Sequence, residues 1–328
     1  MMPPDRPEPG SRVMSCVIGA AEAGATLLDF LCARFSYHDR AGWSALIGVG
    51  ALLVNGEEVG SDARLGEGAL VTYRPSGASE PYADRAVKVL YEDGDILLVS
   101  KTGNLTVHPG GKYFRNTLWG VLREELGVKN PGIINRLDRE TSGVTLVAKN
   151  PEAAASCRAQ FTARGVFKKY IAVTEGALER PLRCRGYMLP CEGSAVNKKL
   201  RFEPSTGEGP EPGKEPLWAD TGFAPLGRRG ELGLVEAVPH TGRTHQIRAS
   251  LLALGLPLVG DKIYGVDEGM FLRFIADGLT PEDARRLRLG RQALHAAELR
   301  FRHPATGREI SAEAPLPADM AALIGGDL

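Results

Sequence analysis

The segment NRLDRETSG at residues 135–143 sets one acid, Asp138, between two arginines, Arg136 and Arg139. A carboxylate beside fixed guanidinium groups is held in its charged form. Held and aimed, it becomes a nucleophile or a base. The segment runs straight into the apolar stretch VTLVA at 144–148, so the acid stands on a polar loop that leads into a strand. A surface turn with an exposed Asp–Arg pair has the same local pattern, and such pairs contribute little. What the rest of the fold brings to Asp138 therefore decides between the two. A glycosidase requires opposed carboxylates, and the chain sets only one acid in such surroundings. It contains no Walker loop, no HExxH and no complete GxGxxG, which removes the common nucleotide-cofactor and zinc-protease readings.

The bulk properties constrain the partners. A chain of 328 residues accommodates a large core plus a smaller module. Its 43% hydrophobic and 24% charged residues are those of an ordinary globular protein. Forty basic and forty acidic residues cancel, which excludes a uniformly basic nucleic-acid binder. The distribution is less even: residues 16–75 carry seven acids against four arginines, so the remainder is positive. A polyanion would be held by that larger part, through local clusters. Five scattered cysteines lack metal-knuckle spacing and read as reduced thiols, with no metal site. The Pro-rich, polar start is unlike a secretory signal, and no apolar run approaches membrane-spanning length. The expectation is a cytoplasmic monomer with no membrane contact.

Four stretches have to position the chemistry. Residues 1–14 read as a disordered tail and 15–76 as a small α/β module. That module has helical runs at 26–34 and 43–47, and Asn55-Gly56 between apolar residues signals a hairpin. Residues 77–86, rich in Pro, Gly and Ser, read as a linker. In residues 87–328, strand-like runs flank Asp93-Gly94, helices are expected at 117–126 and from Asn150-Pro151 to Gly165, and strands at 167–174 and 233–238. A helix at about 244–254 places His245, Arg248 and Leu252 on one face and turns Ile247, Leu251 and Leu254 to the core. Further helices are expected at 268–278 and from Thr280-Pro281, with a low-complexity loop at 203–217. Strands and helices mix without regular βαβ alternation, which makes the class α+β.

Six stretches stand in a telling order: KTGNLTVHPGG (101–111), NRLDRETSG, FKKYIA (167–172), TGRTHQIR (241–248) with LGLPLVGDKIYG (254–265), LHA with FRHPATG (294–307), and APLPADM (314–320). Together they resemble the RNA pseudouridine synthases of the RluA type, over residues 87–320 or so. The resemblance implies a catalytic fold with a mixed, mainly antiparallel central sheet flanked by helices. It implies isomerisation of a uridine in structured RNA, ribosomal or transfer, by base flipping and without a cofactor. It assigns Asp138 as the attacking aspartate, Arg248 as its basic partner, Tyr170 as the ring that stacks on the base and helps remove the C5 proton, and Arg136 as the side chain that fills the space the base leaves. Asn135 stands where the family usually has His. Residues 15–76 are similar to an S4-type RNA-binding module, though such modules are normally basic.

Arg139, His108, Lys169, Arg243, His245 and Leu252 complete the candidate RNA contacts. The pairs and triplets Lys168/Lys169, Lys198/Lys199/Arg201, Arg228/Arg229 and Arg285/Arg286/Arg288 are candidate phosphate contacts or solvated faces. Two other functions fit a retained fold less well. One is a non-catalytic RNA-binding or ribosome-assembly factor. The other is an enzyme of free nucleosides, which would not need the basic clusters.

Overall fold

The structure, a computed structural model, describes residues 13–35, 38–74, 80–111, 113–207, 209–210, 213–276 and 278–325. The chain divides into two units, Met1–Pro81 with Gly110–Phe114, and Tyr82–Pro109 with Arg115–Leu328. The expected tail over 1–12 and the first linker residues, 77–79, lie outside the described residues.

The smaller unit contains β1 (Met14–Val17), α1 (Leu27–Arg34), α2 (Arg40–Gly48), β2 (Leu52–Val54), β3 (Glu57–Glu58) and β4 (Leu70–Tyr73), with sheet order β1-β4-β2-β3. Thr26 caps α1 by accepting the Asp29 N–H, and Asp39 caps α2 through the Gly42 N–H. The expected hairpin is there: Asn55 and Gly56 both take positive φ, 54° and 90°, joining β2 to β3. One expectation needs correcting. Met14, assigned to the disordered tail, opens β1, whose four residues pair with β4 from Met14↔Tyr73 to Val17↔Leu70. Four residues are too few for alternation to stand out beside a Pro-rich run. Trp43, Leu27, Leu31 and Leu52 fill the core.

The larger unit is built on one mixed sheet of eleven strands. In chain order its elements are β5 (Lys88–Glu92), β6 (Ile96–Lys101), α3 (Leu118–Glu124), β7 (Gly132–Ile133), β8 (Ser142–Ala148), α4 (Pro151–Thr162), β9 (Phe167–Glu175), β10 (Leu182–Pro190), β11 (Leu200–Pro204), β12 (Trp218–Arg229), β13 (Leu232–Pro239), α5 (Gln246–Ala253), α6 (Gly269–Ala276), α7 (Pro281–Leu287), β14 (Leu294–Arg302), β15 (Glu309–Glu313) and α8 (Ala318–Ile324). The strands run β11-β10-β12-β13-β9-β14-β8-β6-β5, with β15 on β14 and β7 on β8. Every pairing is antiparallel except β14 with β8. This is the α+β arrangement expected, mainly antiparallel and flanked by helices.

Strand β8 is buried along its whole length, because helices cover both of its faces. The alternation of β6 sorts the two layers: Ile96 and Leu98 pack with Ala153 and Cys157 of α4, whereas Leu97 and Val99 pack with Leu118 and Val121 of α3. Asn150 caps α4 through the Ala153 N–H at 2.8 Å, with Pro151 behind it, as the sequence signals. Gly143 explains the glycine that closes the Asp138 segment. Its φ is +114°, and a Cβ there would run into the Ala296 carbonyl of the parallel neighbour β14. The loop that carries Asp138 thus enters the sheet at its one parallel crossing. The low-complexity stretch is not structureless throughout: β11 runs to Pro204, and residues Glu215–Leu217 form one 3-10 turn. Among the described residues no helix is long and apolar enough to cross a membrane. All five cysteines are free thiols.

Candidate active site

Asp138 projects from the loop between β7 and β8. Asn135 pins the start of that loop to β8, giving its amide N–H to the Val144 carbonyl and accepting the Leu146 N–H at 2.7 Å. An amide suits this work because it must donate and accept at once. The far end is held from beneath by Lys101, 1% exposed, whose ammonium donates to the carbonyls of Thr102, Leu105 and Arg139. Burial lowers the pKa of this lysine, and Arg291 adds to the effect, bringing it to about 7. Its three carbonyl acceptors match the three hydrogens of an ammonium.

One carboxylate oxygen of Asp138 accepts from Arg248 Nη1 at 2.7 Å and from Gln292 Nε2 at 3.3 Å. Gln292 is itself fixed by Thr141 Oγ1. The Asp138 side chain remains 33% exposed, open to a cavity rather than sealed in the core. Burial pushes its pKa up, but the Arg248 charge, the nearby His245 and the hydrogen bonds from Gln292 and Arg248 together outweigh this, and the carboxyl sits below its ordinary value. Arg248, on α5 and 4% exposed, is shared between two acids. Its Nε and Nη2 form a fork onto Asp261, at 2.6 and 2.9 Å, leaving Nη1 for Asp138. Asp261 also accepts the N–H groups of Ile263 and Tyr264, so its position is fully determined.

His245, at the start of α5, takes a left-handed backbone with φ 58°. Such a conformation is costly for a non-glycine residue and persists where the surroundings demand it. The Tyr264 hydroxyl accepts the Leu200 N–H and is hydrogen-bonded to His245 Nδ1 at 3.0 Å. The other ring nitrogen, Nε2, lies 4.0 Å from Asp138. Burial, and then the Arg248 charge, lower the His245 pKa to about 4, so the ring near the carboxylate is neutral.

Two cavities meet at Asp138. One, of about 410 Å³, is lined by Tyr170, Lys168, Phe161, Thr141 and Arg243. The other, of about 470 Å³, is lined by His108, Arg139, Lys198, Phe271 and Phe274. Arg136, Asp138, His245 and Arg248 border both. Tyr170 sits on central strand β9, held between Ala237 of β13 and Ala296 of β14. Burial, reinforced by the Asp138 charge, pushes its phenol well above the ordinary value.

The three expected catalytic residues therefore converge. Of the other candidates, Arg136, His245, His108, Arg139 and Arg243 reach one or both cavities. Arg139 and Arg243 are partly committed, the first to Asn104 and the second to the Trp218 carbonyl. Two candidates fall elsewhere. Lys169 pairs with Glu298 at 2.7 Å, and strand alternation turns it to the face opposite Lys168 and Tyr170. Leu252 packs into the hydrophobic core beside α5 and lines neither cavity.

Most of the basic clusters are likewise neutralised: Lys199 by Glu268, Arg201 by Glu203, Arg285 by Glu282 and Arg288 by Glu175. Asp93, Asp95 and His303 come close enough together that their ligand atoms could hold a metal ion, a grouping the spacing of the sequence does not reveal. His303 Nδ1 accepts the N–H groups of Ala305 and Thr306, so Nε2 carries the proton that binds Asp93.

Residues 95–253 match the sequence family described as RNA pseudouridylate synthase. A Chlorobaculum parvum protein named as an uncharacterized RNA pseudouridine synthase is 34% identical over 289 residues, covering 84% of this chain and 86% of that protein. The Xanthomonas campestris protein named ribosomal large subunit pseudouridine synthase D is 31% identical over 322 residues, covering 96% and 92%. Among solved structures, human RNA pseudouridylate synthase domain containing 1 is similar, with a TM-score of 0.56 and 26% identity. The match covers 76% of this chain and 93% of that one.

Proposed function

We infer that this chain, which belongs to the RNA pseudouridine synthases of the RluA type, isomerises a uridine in structured RNA with Asp138 as the nucleophile. The observation that carries this reading is the carboxylate bound to Arg248 at the edge of a cavity it shares with Tyr170. The reaction breaks the N1–C1′ glycosidic bond and joins C5 to C1′. C5 releases its proton and N1 gains one. Atoms balance without oxidant or reductant, so the proposal invokes no cofactor.

Asp138 attacks C1′, forming an ester bond as the N1–C1′ bond breaks, and leaves again as C5 of the turned base bonds to C1′. The 410 Å³ cavity takes the everted base, with Tyr170 as its stacking face, and Arg136 at the rim takes the place of the base in the RNA. The raised pKa of Tyr170 favours a neutral ring over a phenolate base at neutral pH. Lys168, rather than Lys169, is the strand lysine that reaches this cavity. Its pKa is lowered to about 8, by burial and then by Arg164.

The substrate proposed is ribosomal or transfer RNA. Ribosomal RNA is the first to test, since the Xanthomonas campestris relative is named for the large subunit. Residues 15–76 are proposed as an S4-like module that contributes shape rather than phosphate binding, given its excess of acids. The deciding experiment maps pseudouridines in RNA from cells with and without the gene, alongside release of tritium from C5-labelled RNA by the purified chain. The expected result is one position lost with the gene and restored by the protein. An unchanged map and no tritium release would remove the proposal.

The pH dependence follows from the signs. The carboxylate form of Asp138 exists above its depressed pKa, and the phenol form of Tyr170 exists below its raised one. Both working forms persist across the interval, so these two groups leave the chemical rate flat from about pH 5 to about pH 9. A fall above neutrality is expected only from loss of the Lys101 ammonium, whose pKa is lowered to about 7. Single-turnover tritium release measures this. A rise of about tenfold per pH unit would instead identify a deprotonated base in the cavity, Lys168 if it levels near pH 8 and the Tyr170 phenolate if it continues beyond.

A further inference from the structure

The 470 Å³ cavity on the other side of Asp138 is absorbed neither by the nucleophile nor by the everted base. Its wall is helix α6, whose Phe271 and Phe274 stand one turn apart on one face, both partly exposed. Three cations face these rings. Lys198 lies 4.4 Å above Phe271, and Arg139 and Lys262 lie 5.6 and 4.9 Å from Phe274. The two acids in the lining are already matched, Asp138 by Arg248 and Glu140 by Lys262 at 2.8 Å. Among the described residues, Arg136 and Lys198 remain as positive charge in the lining with no acid set against them.

Rings alone suit packing, and cations alone suit any anion. Rings with cations in excess, in a space whose volume falls within the usual ~300–1,000 Å³ of ligand sites, suit a base carrying a phosphate. The two Phe274 cations are tied down, Arg139 by Asn104 and Lys262 by Glu140 and the Gly290 carbonyl. Lys198 is different, because it is exposed and sits on its ring at the open end of a long side chain.

We propose that this cavity holds the nucleotide adjacent to the target uridine, its base stacked on Phe271 and its phosphate on Lys198. The proposal rests on the uridine-isomerase reading and adds to it a source of substrate selectivity. Single-stranded RNA is read by splaying its bases onto aromatic faces, and eversion of one base leaves its neighbour unstacked on one side. Lys198 would leave the ring for the phosphate as the base arrives, exchanging a cation–π contact for a charge pair. Asp138 and Arg136 border both cavities, so two successive nucleotides would straddle the nucleophile.

The test uses a short hairpin RNA carrying the uridine that the wild-type chain modifies, with two companions abasic at the 5′ or the 3′ neighbour. Wild type is expected to lose about 10-fold to 100-fold in kcat/KM on one companion and little on the other. F271L is expected to show that same loss on the intact RNA and no further loss on the sensitive companion. If wild type is indifferent to both abasic sites, or F271L keeps the full abasic penalty, the ring does not stack on a base and the proposal falls. K198Q, a surface change that spares folding, should raise KM without lowering kcat and reduce the salt slope of binding by about one. An unaltered slope in K198Q removes the phosphate contact. Should wild type make no pseudouridine in the intact hairpin, the functional reading fails first, and this proposal with it.

Discussion

Asp138→Asn is expected to fold normally, bind RNA and make no pseudouridine. The replacement keeps the shape of the side chain and an oxygen to accept from Arg248, whose remaining bonds go to Asp261. Stability is therefore expected to change by no more than about 1 kcal/mol, since no buried charge loses its only partner. The reaction cannot proceed in the same way, because a neutral amide has no lone pair of comparable nucleophilicity to offer C1′. Loss of a covalent nucleophile costs at least about 10⁴-fold in kcat where it has been measured in other enzymes. The assay is tritium release under single-turnover conditions, with RNA affinity measured in parallel. RNA affinity within about threefold of wild type shows that the defect lies in chemistry rather than in binding, since each tenfold in affinity corresponds to ~1.4 kcal/mol. Activity within about tenfold of wild type would mean that another group attacks, and the assignment of Asp138 would be wrong.

How much of this was legible in the sequence depends on whether meaning lay along the chain or across it. Asp138 was legible, because its arginines and the strand after it are neighbours in sequence. Arg248 was assigned to Asp138 by the family resemblance, and helical spacing added only that it could reach inward, as α5 carries it. Asp261 was not singled out. Its role comes from a fork to Arg248 across a turn, and an acid beside a glycine has no periodic signature. Gln292 and Thr141 escaped for the same reason.

Lys168 and Lys169 show a second limit. Adjacent residues on a strand face opposite ways, and the sequence does not say which of the two faces the cavity. Leu252 shares the helical phase of Arg248, yet helix α5 lies against β11 and the core reaches round to it. The fold class was readable because buried runs such as residues 144–148 and the capping residue Asn150 with Pro151 are strong local signals. Strand β1 was lost because four residues beside a Pro-rich stretch carry almost none.

The second large effect concerns the shared arginine. Arg248→Met leaves Asp261, whose side chain is wholly inaccessible, as a buried carboxylate facing a thioether. Removing one member of a buried ion pair costs about 3–5 kcal/mol, mostly through the charge left behind. A denaturant midpoint well below that of wild type is the expected result. Asp261→Asn added to it removes the stranded charge while keeping an oxygen for the Ile263 and Tyr264 N–H groups. The double variant should regain much of the lost stability, because a neutral polar pair in the interior does not bear the penalty of an unpaired ion.

Activity should not return with it. Without Nη1 the Asp138 carboxylate keeps only Gln292 as a close donor, and a loosened nucleophile is expected to lose on the order of 10²–10³ in kcat with KM little altered. Arg248→Lys separates the two duties differently, since one ammonium cannot hold both the fork to Asp261 and the bond to Asp138. Stability and turnover are thus expected to part company across the three variants. If they instead fall and recover together, Arg248 does no more than stabilise the fold, and the aim of Asp138 must be set by Gln292 and the Lys101-anchored loop.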